Sequence, residues 1–473
     1  MKKVFAVFLA LVMALGICAC ADKTNGDAAV GNADNPDTRN TIDAGAMVLT
    51  EIGTVPDGVS FTSGGIISTH NGDKVQVLNQ NGVSFNDKLY DDVSAIICNG
   101  ICVVSNKNDA GKTLLGIVDT IREKELLPCE VVDVRVLSDR FVFLGYETEE
   151  GTADDRFGTY YVKGTGIDYK GYAKVFDLEK GQIVPGVEIT TSQYDVAATG
   201  NVIFVETDYR CVDVYSADGK LIGNYEYLYA YPESAIALQS TKEGVCVYDK
   251  DMKLVTTLET TDYSDKYQAI DGTSEMLLHS YGVVEGNVVV TRYCVTDLYG
   301  KALSAEFDRI LKVYPDGYLY VDEGGISRIV DFQGKIIVPD FSTVRYVKLG
   351  YFVANVSGEG YYVYDTTGKK INDTAMADGS SGIIVQNKAG KLFVFETGEL
   401  LAADGYAKEQ TGSLVLIENT LYDVISGKTV MEDVDACVAT GGNLYVWDSE
   451  TKVYTRYKAE FKSQTGNDFK LVE

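Results

Sequence analysis

The sequence predicts an all-β protein, a β-propeller of about seven to eight four-stranded blades. Three observations predict this fold: a turn motif recurs through the chain, short runs of alternating apolar and polar residues fill the intervals between its copies, and helix signatures are nearly absent. Recurrence every 20 to about 50 residues is typical of repeat architectures. Four short strands per repeat favour the propeller, and an open β-solenoid and two smaller propellers are the alternatives.

The turn motif carries Asp, Asn or Ser at its first position and Gly at its fourth. Such a side chain accepts a hydrogen bond from the backbone two residues further on, and Gly adopts the left-handed conformation that ends the turn. Copies recur about every 38 residues, so the motif predicts a series of β-hairpins. The clearest copies begin at Asn79, Ser216, Asp297, Asp331 and Asp365 and end at Gly82, Gly219, Gly300, Gly334 and Gly368.

The residues between two copies have the pattern of strands. Residues 341–365 (FSTVRYVKLGYFVANVSGEGYYVYD) contain three alternating runs, separated at Leu349-Gly350 and at Ser357-Gly358. The next short stretch adds a fourth strand, which makes one blade per repeat. We assign residues 58–473 to the propeller. This length exceeds the ~250–300 residues at which a single core stops growing, whereas blades need to bury their faces only against their neighbours.

The first residues (MKKVFAVFLALVMALGICAC) have the form of a secretion signal. Two lysines precede an apolar run at residues 4–17, which is too short to span a bilayer. Ala19-Cys20 resembles the cleavage and lipidation site of bacterial lipoproteins. We therefore predict a signal peptide at residues 1–19 and a lipid on Cys20, with lipidation at Cys18 and a signal without any lipid as the alternatives. Residues 20–57 are expected to form the anchor and a flexible tether, because residues 21–45 are small and polar and include no aromatic residue.

The chain is acidic, with a formal net charge of −27 and no cluster of Lys and Arg. This field repels nucleic acid and anionic membrane surfaces, so nucleic acid is not expected as a partner and the membrane is expected to be contacted only through the lipid anchor. Apart from Cys18 and Cys20 the chain has seven cysteines, and most of them lie singly in apolar runs. An odd number in such positions indicates buried free thiols rather than a disulfide scaffold.

Three stretches resemble the repeat of the bacterial WG-repeat proteins, namely residues 114–120 (LLGIVDT), 327–344 (SRIVDFQGKIIVPDFSTV) and 360–371 (GYYVYDTTGKKI). The first two have Ile-Val before Asp and the third has Val-Tyr before Asp, and the last two add a Gly-Lys turn. The Trp-Gly pair of that family is reduced to Gly116 in the first stretch and is missing from the other two. The resemblance implies a repeat-built protein with an extracytoplasmic or interaction role, and it supplies no catalytic residue.

Motifs of catalytic or metal sites are not found in the sequence. The two histidines, His70 and His279, lie in unrelated contexts, and Gly111-Lys112-Thr113 lacks the first glycine of a phosphate-binding loop. We therefore predict no catalytic residue.

The longest interval between turn motifs holds an insertion at residues 146–172 (YETEEGTADDRFGTYYVKGTGIDYKGY). Long loops on rigid scaffolds commonly carry function, so we expect ligand contacts here and not inside a blade. Residues 260–272 (TTDYSDKYQAIDG) are a smaller insertion of the same kind, in an interval of about 48 residues after Asp249. A tyrosine-rich stretch at residues 225–234 (YEYLYAYPES) is a further candidate, since tyrosine rings stack on sugars and hold peptides.

The candidate ligand-binding residues are Tyr146, Tyr160, Tyr161, Tyr225, Tyr227 and Tyr229. Clustered carboxylates in the insertion suggest Ca²⁺ as a cofactor, with a solvated acidic loop as the alternative and no other cofactor expected. The candidate Ca²⁺ ligands are Glu147, Glu149, Glu150, Asp154 and Asp155.

These features favour a monomeric, membrane-anchored extracytoplasmic lipoprotein that acts as a non-catalytic binding or scaffolding module for an envelope protein or a glycan. The alternatives are a carbohydrate-active enzyme (a glycosidase or lyase) on a propeller fold and a structural part of a larger envelope complex. Two carboxylates facing each other in a central pocket would favour the enzyme, and an aromatic face poor in carboxylates would favour binding.

Overall fold

The computed structural model describes most of the chain between residues 41 and 461. The described residues are 41–43, 47–98, 100–147, 158–162, 167–189, 196–208, 210–260, 265–347, 351–356, 359–370, 384–386, 391–394, 399–402, 407–411, 413–423, 426 and 428–461. The chain divides into two compact units, the first formed by Met1–Glu130 with Met376–Glu473 and the second by Val131–Ala375.

Regular structure in the described residues is almost entirely strand. Two short 3-10 turns occur at Ser63–Gly65 and Pro232–Ser234. The strands up to Val131 are β1 Thr41–Asp43, β2 Met47–Pro56, β3 Val59–Phe61, β4 Ile67–Asn71, β5 Lys74–Leu78, β6 Asp92–Cys98, β7 Ile101–Lys107, β8 Thr113–Asp119 and β9 Lys124–Val131. The strands of the second unit are β10 Asp133–Val136, β11 Phe141–Glu147, β12 Gly158–Val162, β13 Ile167–Asp177, β14 Gln182–Ile189, β15 Val196–Thr199, β16 Val202–Asp208, β17 Cys211–Ser216, β18 Leu221–Glu226, β19 Leu228–Tyr231, β20 Ile236–Thr241, β21 Gly244–Asp249, β22 Leu254–Leu258, β23 Lys266–Ala269, β24 Met276–Glu285, β25 Val288–Asp297, β26 Ile310–Tyr314, β27 Tyr318–Glu323, β28 Ile326–Asp331, β29 Ile336–Val338, β30 Thr343–Val347, β31 Tyr351–Val356 and β32 Gly360–Asp365. The first unit then resumes with β33 Ile384–Gln386, β34 Lys391–Val394, β35 Glu399–Ala402, β36 Ala407–Thr411, β37 Leu414–Ile417, β38 Thr420–Asp423, β39 Lys428–Met431, β40 Ala436–Thr440, β41 Asn443–Asp448 and β42 Val453–Phe461.

The strands pair into small antiparallel sheets, as a β-propeller requires. Within the described residues, ten blades, mostly of three or four strands, are each built from consecutive strands. A further sheet, in the order β1-β2-β42-β41-β40, joins the two ends of the chain. The prediction of an all-β propeller is confirmed, whereas the prediction of seven to eight blades is too low. The shortest intervals between turns, at residues 365–396 and 396–423, look too short for whole blades, yet the separate sheets β33–β35 and β36–β39 form in this part of the chain.

The sheet that joins the chain ends is held mainly by β2 and β42. Their register runs from Met47 opposite Phe461 to Pro56 opposite Val453, with one irregularity between Glu51 and Gly53. Residues 41–43 and 47–56 lie inside the stretch that is expected to form the tether, and here they form β1 and β2. The remaining part of that prediction, residues 20–40, lies outside the described residues, as does the signal peptide at residues 1–19.

The core of the second unit lies between consecutive sheets. Val175 of β13 packs in one cluster with Ile203 of the next sheet, and Val295 of β25 packs with Leu319 of the sheet after it. The same arrangement recurs between each pair of consecutive sheets from β10–β14 to β30–β32. Burying one such aliphatic side chain stabilises the fold by about 1.5–3 kcal/mol. Each blade therefore depends on its neighbours for its core, which is the property expected of a repeat.

The turn motif has the predicted geometry. At all five clear copies the N–H of the fourth-position glycine donates to the carbonyl of the first residue over 2.8–3.1 Å, and the glycine φ lies between 70° and 88°. At one copy the Asp331 carboxylate also accepts hydrogen bonds from the N–H groups of Gln333 (3.0 Å) and Lys335 (2.8 Å). The short acidic side chain thus fixes the turn, and the glycine supplies the conformation that ends it.

The seven cysteines from Cys98 to Cys437 are all free. Four of them, Cys98, Cys102, Cys294 and Cys437, are buried. Burial raises the pKa of the Cys102 thiol to about 12, with a smaller contribution from the charge of Asp119. The prediction of buried free thiols is confirmed for these four.

Candidate functional site: an extended valine hairpin

The hairpin of β24 and β25 is the candidate functional site. Each strand has ten residues, and they pair without a register shift from Met276 opposite Asp297 to Glu285 opposite Val288. A two-residue turn joins them, in which Gly286 has a φ of 65° and open space around it. This left-handed position at the centre of a tight turn favours glycine.

The hairpin is longer than the sheet to which it belongs. On one side β23 pairs with β24 only as far as Ser280. On the other side the last bridge to β25 joins Tyr293 to Phe307. Residues 281–292, which we call the hairpin tip, therefore extend past the ladders formed by the described residues.

Valines cover the hairpin tip. The exposed fractions are 73% for Val284, 62% for Val288 and 65% for Val289. Val284 and Val289 lie directly opposite each other and share one face, while Val288 lies on the other face. Contiguous exposed apolar residues on a soluble domain commonly mark a contact surface.

Aromatic rings support the base of the hairpin. The ring of Tyr267 stacks on the imidazole of His279 at 4.2 Å between centroids and an angle of 2°. The ring of Tyr281 also lies next to that of His279, with the centroids 4.8 Å apart and the planes tilted by 32°. The Nε2 atom of His279 is hydrogen-bonded to the carboxylate of Asp265. These contacts hold the start of the tip on the blade.

Cys294 completes a Cys-His-Asp arrangement, since its Sγ lies 4.0 Å from Nδ1 of His279. A nucleophilic cysteine needs a lowered pKa and access to solvent. Burial, with a smaller contribution from the charge of Glu306, instead raises the pKa of the Cys294 thiol to about 11. The thiol is therefore protonated and covered at neutral pH, and the arrangement is structural.

Charged groups surround the start of the tip. The guanidinium of Arg292 forms ion pairs with the carboxylates of Glu285 and Asp308. The hydroxyl of Tyr281 donates to Glu306, and burial together with this hydrogen bond raises the pKa of that phenol. Three carboxylates thus face one guanidinium, which leaves a negative local charge beside the valines.

The residues predicted in the insertion at 146–172 are only partly described. Tyr146 lies in β11 and its ring stacks on that of Tyr172, at 5.1 Å and 5°. Glu147 ends the same strand and is exposed. Tyr160 and Tyr161 lie in β12, which pairs with β13, so part of the insertion consists of blade strands and not of a loop. The other four predicted Ca²⁺ ligands, Glu149, Glu150, Asp154 and Asp155, lie outside the described residues.

The three tyrosines predicted near residue 227 have different environments. Tyr225 packs edge-on against Tyr248, with centroids 5.9 Å apart, beside a core cluster. The ring of Tyr227 lies under the guanidinium of Arg210, 5.0 Å from its centroid. Tyr229 is 57% exposed. The described contacts tie the first two to the fold, and Tyr229 presents most of its ring to solvent.

A cavity of about 160 Å³ lies beside Asp177, Lys180 and Asp218. The carboxylate of Asp177 accepts two hydrogen bonds from Arg140, at 3.1 and 2.6 Å, and this contact raises the pKa of the guanidinium. Lys180 Nζ lies 2.6 Å from a carboxylate oxygen of Asp218. Because oppositely charged side chains pair across it, this cavity is part of a polar contact between two neighbouring blades.

Within the described residues, no group of three or more His, Cys, Asp or Glu side chains is placed to hold a metal ion. No helix in that part of the chain has the length and apolar composition needed to cross a membrane.

Sequence reasoning missed the hairpin tip. The signal was present as GVVEGNVVV, in which Glu-Gly-Asn separates two valine runs inside a longer alternating segment. This pattern is typical of a β-hairpin. The sequence does not show that these valines are exposed, because the same pattern is typical of a hairpin buried between two blades.

Comparison with known proteins gives a distant likeness only. No family model matches the chain, and no curated protein matches it. A crystal structure of a eukaryotic initiation factor is 13% identical, covers 75% of this chain and 96% of its own, and has a TM-score of 0.40. BamB from Moraxella catarrhalis is 14% identical, covers 68% of this chain and 99% of its own, and has a TM-score of 0.26. Values this low carry no argument, so the fold assignment rests on the strand pairing, and the WG-repeat resemblance stays a prediction.

Proposed function

We propose that the protein is a membrane-anchored extracytoplasmic lipoprotein whose β-propeller is a non-catalytic scaffold for an envelope protein, which docks on the hairpin tip. The observation that carries this proposal is the exposure of Val284, Val288 and Val289 at the end of a hairpin that is longer than its own sheet. Covering these side chains with a partner removes apolar surface from water, and this stabilises a complex.

The anchor in this proposal rests on the sequence. A lipid on Cys20, followed by the small polar residues up to residue 40, would hold a folded domain at the membrane surface while leaving it free to reach a partner. The negative net charge keeps such a domain away from anionic lipid, so contact through the tip is directed to a protein.

The chemistry of the tip favours a protein over a glycan. Sugar-binding surfaces combine aromatic rings with groups that hydrogen-bond hydroxyls, whereas valine side chains offer neither. The enzyme alternative has less support, because Asp177 and Asp218, the carboxylates at the described cavity, are in ion pairs with Arg140 and Lys180.

The experiment is a capture of envelope proteins on the tagged, full mature chain and on the double variant Val284→Asp with Val289→Asp. The matched control is Ile326→Asp with Ile336→Asp, which puts the same two charges at exposed positions, 41% and 47% accessible, on the neighbouring blade. We expect the tip variant to lose specific partners with an unchanged melting temperature and the control to keep them. Retention of all partners by the tip variant would contradict the proposal.

The anchor is tested on the same cells by fractionation. Cys20→Ser should release the protein from the membrane fraction and remove the mobility shift caused by the lipid. If the protein stays bound with unchanged mobility, lipidation at Cys20 is wrong and Cys18→Ser is the next variant.

A further inference from the structure

We propose that the partner supplies an extended peptide segment that pairs with the outer edge of β25 as an additional strand, bonded to the backbone of Val289 and Thr291. This inference rests on the proposed function and deepens it, because it names the chemistry of the partner. The segment alternates apolar and polar residues and carries a Lys or Arg where it passes the carboxylates at the start of the tip.

The direction of the backbone groups on β25 follows from an observed pair of hydrogen bonds. The N–H of Tyr293 donates to the carbonyl of Phe307 and the N–H of Phe307 donates to the carbonyl of Tyr293, both at 2.9 Å. The polar backbone groups of Tyr293 therefore point away from β24. In an antiparallel strand this direction alternates from one residue to the next. Since the pairing with β24 has no register shift, Thr291 and Val289 point outward as well.

The outer edge of β25 has no strand partner beyond Tyr293 in the part of the chain that the structure describes. After Phe307 the chain continues to Ile310, where β26 of the next blade begins. The N–H and C=O groups of Thr291 and Val289 are thus left to solvent. Unpaired edges of this kind are ready templates for another strand.

Protection of this edge by the usual devices is weak. Native edge strands avoid pairing through charged side chains, proline or bulges. The stretch from Val288 to Thr291 reads VVVT, with none of these features. An incoming strand would in addition cover Val289 and reach Val284 on the same face. Hydrogen bonds from the backbone and burial of the valines therefore act together at one edge.

Charge decides between a foreign segment and a second copy. Glu285, Glu306 and Asp308 surround Arg292. A positively charged residue on the incoming strand is therefore attracted by three carboxylates and repelled by one guanidinium. A second copy of this chain would bring its own net charge of −27 to the same place. The occupant that fits is a neutral or basic extended segment of another protein.

The first test measures binding of a synthetic probe to the full mature chain by fluorescence polarisation. The probe is a seven-residue peptide that alternates valine with threonine and has lysine at both ends. Val289→Pro removes the outward N–H while keeping an apolar side chain, and proline is tolerated at an edge in this orientation. Val289→Thr keeps the N–H and removes the apolar contact. We expect the proline variant to weaken binding by about tenfold or more and the threonine variant to weaken it less.

The second test leaves the protein unchanged. N-methylation at one set of alternate peptide residues removes the groups that face β25, and methylation of the other set does not. We expect one methylated peptide to lose binding and its counterpart to keep it. Equal loss or equal retention would overturn strand addition even if Val289→Pro does not fold.

The outcomes separate this inference from the function on which it rests. If envelope partners are lost on the Asp variants but Val289→Pro binds probe and partners as the wild type does, the tip docks through its side chains and strand addition is wrong. If the wild type does not bind the probe, strand addition is likewise overturned. A dimer that disappears in Val289→Pro would show that a second copy occupies the edge. If the Asp variants keep every partner, the proposed function fails as well.

Discussion

The hairpins β24–β25 and β27–β28 belong to consecutive blades and differ in the length of their strands and in the side chains at their tips. In both hairpins a two-residue turn that contains glycine joins the two strands, and the second strand ends at the turn motif, at Asp297 or at Asp331. The strands of β27–β28 have six residues, and β26 and β29 flank them. The strands of β24–β25 have ten, and the five residue pairs of the hairpin tip extend past the ladders of the blade.

The chemistry of the two tips differs in the same way. The short hairpin ends in polar groups, where Glu323 pairs with Arg328 at 2.7 Å and Asp322 accepts a hydrogen bond from the N–H of Gly325 at 2.9 Å. The long hairpin ends in exposed valines. Strand residues that pack against neighbouring blades are constrained by those contacts, whereas a hairpin tip that extends past them can acquire a separate role.

The comparison is tested most strongly by substitutions within β24 itself. Leu277 is fully buried and packs with Leu238 and Val247 of the preceding blade. Leu277→Ala should lower the free energy of unfolding by about 2–5 kcal/mol through the cavity that it leaves. Val284→Ala should change it by less than about 0.5 kcal/mol, because its side chain is already in water. Denaturant unfolding measures both, and a comparable loss for the two would mean that the tip is packed.

A smaller effect is expected at the turns. Gly286 and Gly334 both have positive φ, and an added Cβ would meet nothing closer than 3.9 Å at Gly334 and nothing within 4 Å at Gly286. Alanine at either position should therefore cost about 1 kcal/mol from backbone strain alone. Should Gly286→Ala cost nothing in the same unfolding experiment, the tip opens independently of the blade and is a separate local unit.

The smallest effect is expected in the reactivity of Cys294, at the base of the long hairpin. Because burial raises its pKa to about 11, the thiol is protonated at pH 8 and should alkylate slowly, with the rate rising toward pH 11. Mass spectrometry of the peptide that contains residue 294 follows this reaction. Substitutions of Val284 and Val289 should leave the rate unchanged, whereas Leu277→Ala should increase it. A rate that responds to the tip would couple the two ends of the hairpin.

The turn motif explains which parts of the fold could be read from the sequence. Asp331 and Gly334 act on residues within four positions of themselves, so their geometry follows from local chemistry. The blade count could not be read in this way, because the length of an interval between turns does not show whether its strands form a separate sheet, and only the pairing between strands decides this. The sequence predicts that the extra length of the interval after Asp249 lies at residues 260–272. Residues 266–269 of that stretch form β23, and the five residue pairs that extend past the ladders lie in the hairpin tip.

The sequence by itself determined the all-β class, the positions and chemistry of the hairpin turns and the burial of four free thiols, since each depends on short-range hydrogen bonding or on the apolar period of a strand. Three properties depend on the tertiary structure: the number of sheets, the pairing of β2 with β42 from opposite parts of the sequence, and the place where a hairpin extends past the strands beside it. The reason is that the exposure of a strand residue depends on contacts with other blades and not on its sequence neighbours. Val284 and Val295 are both strand residues next to other apolar residues, and only the presence or absence of an adjacent blade makes one 73% exposed and the other fully buried.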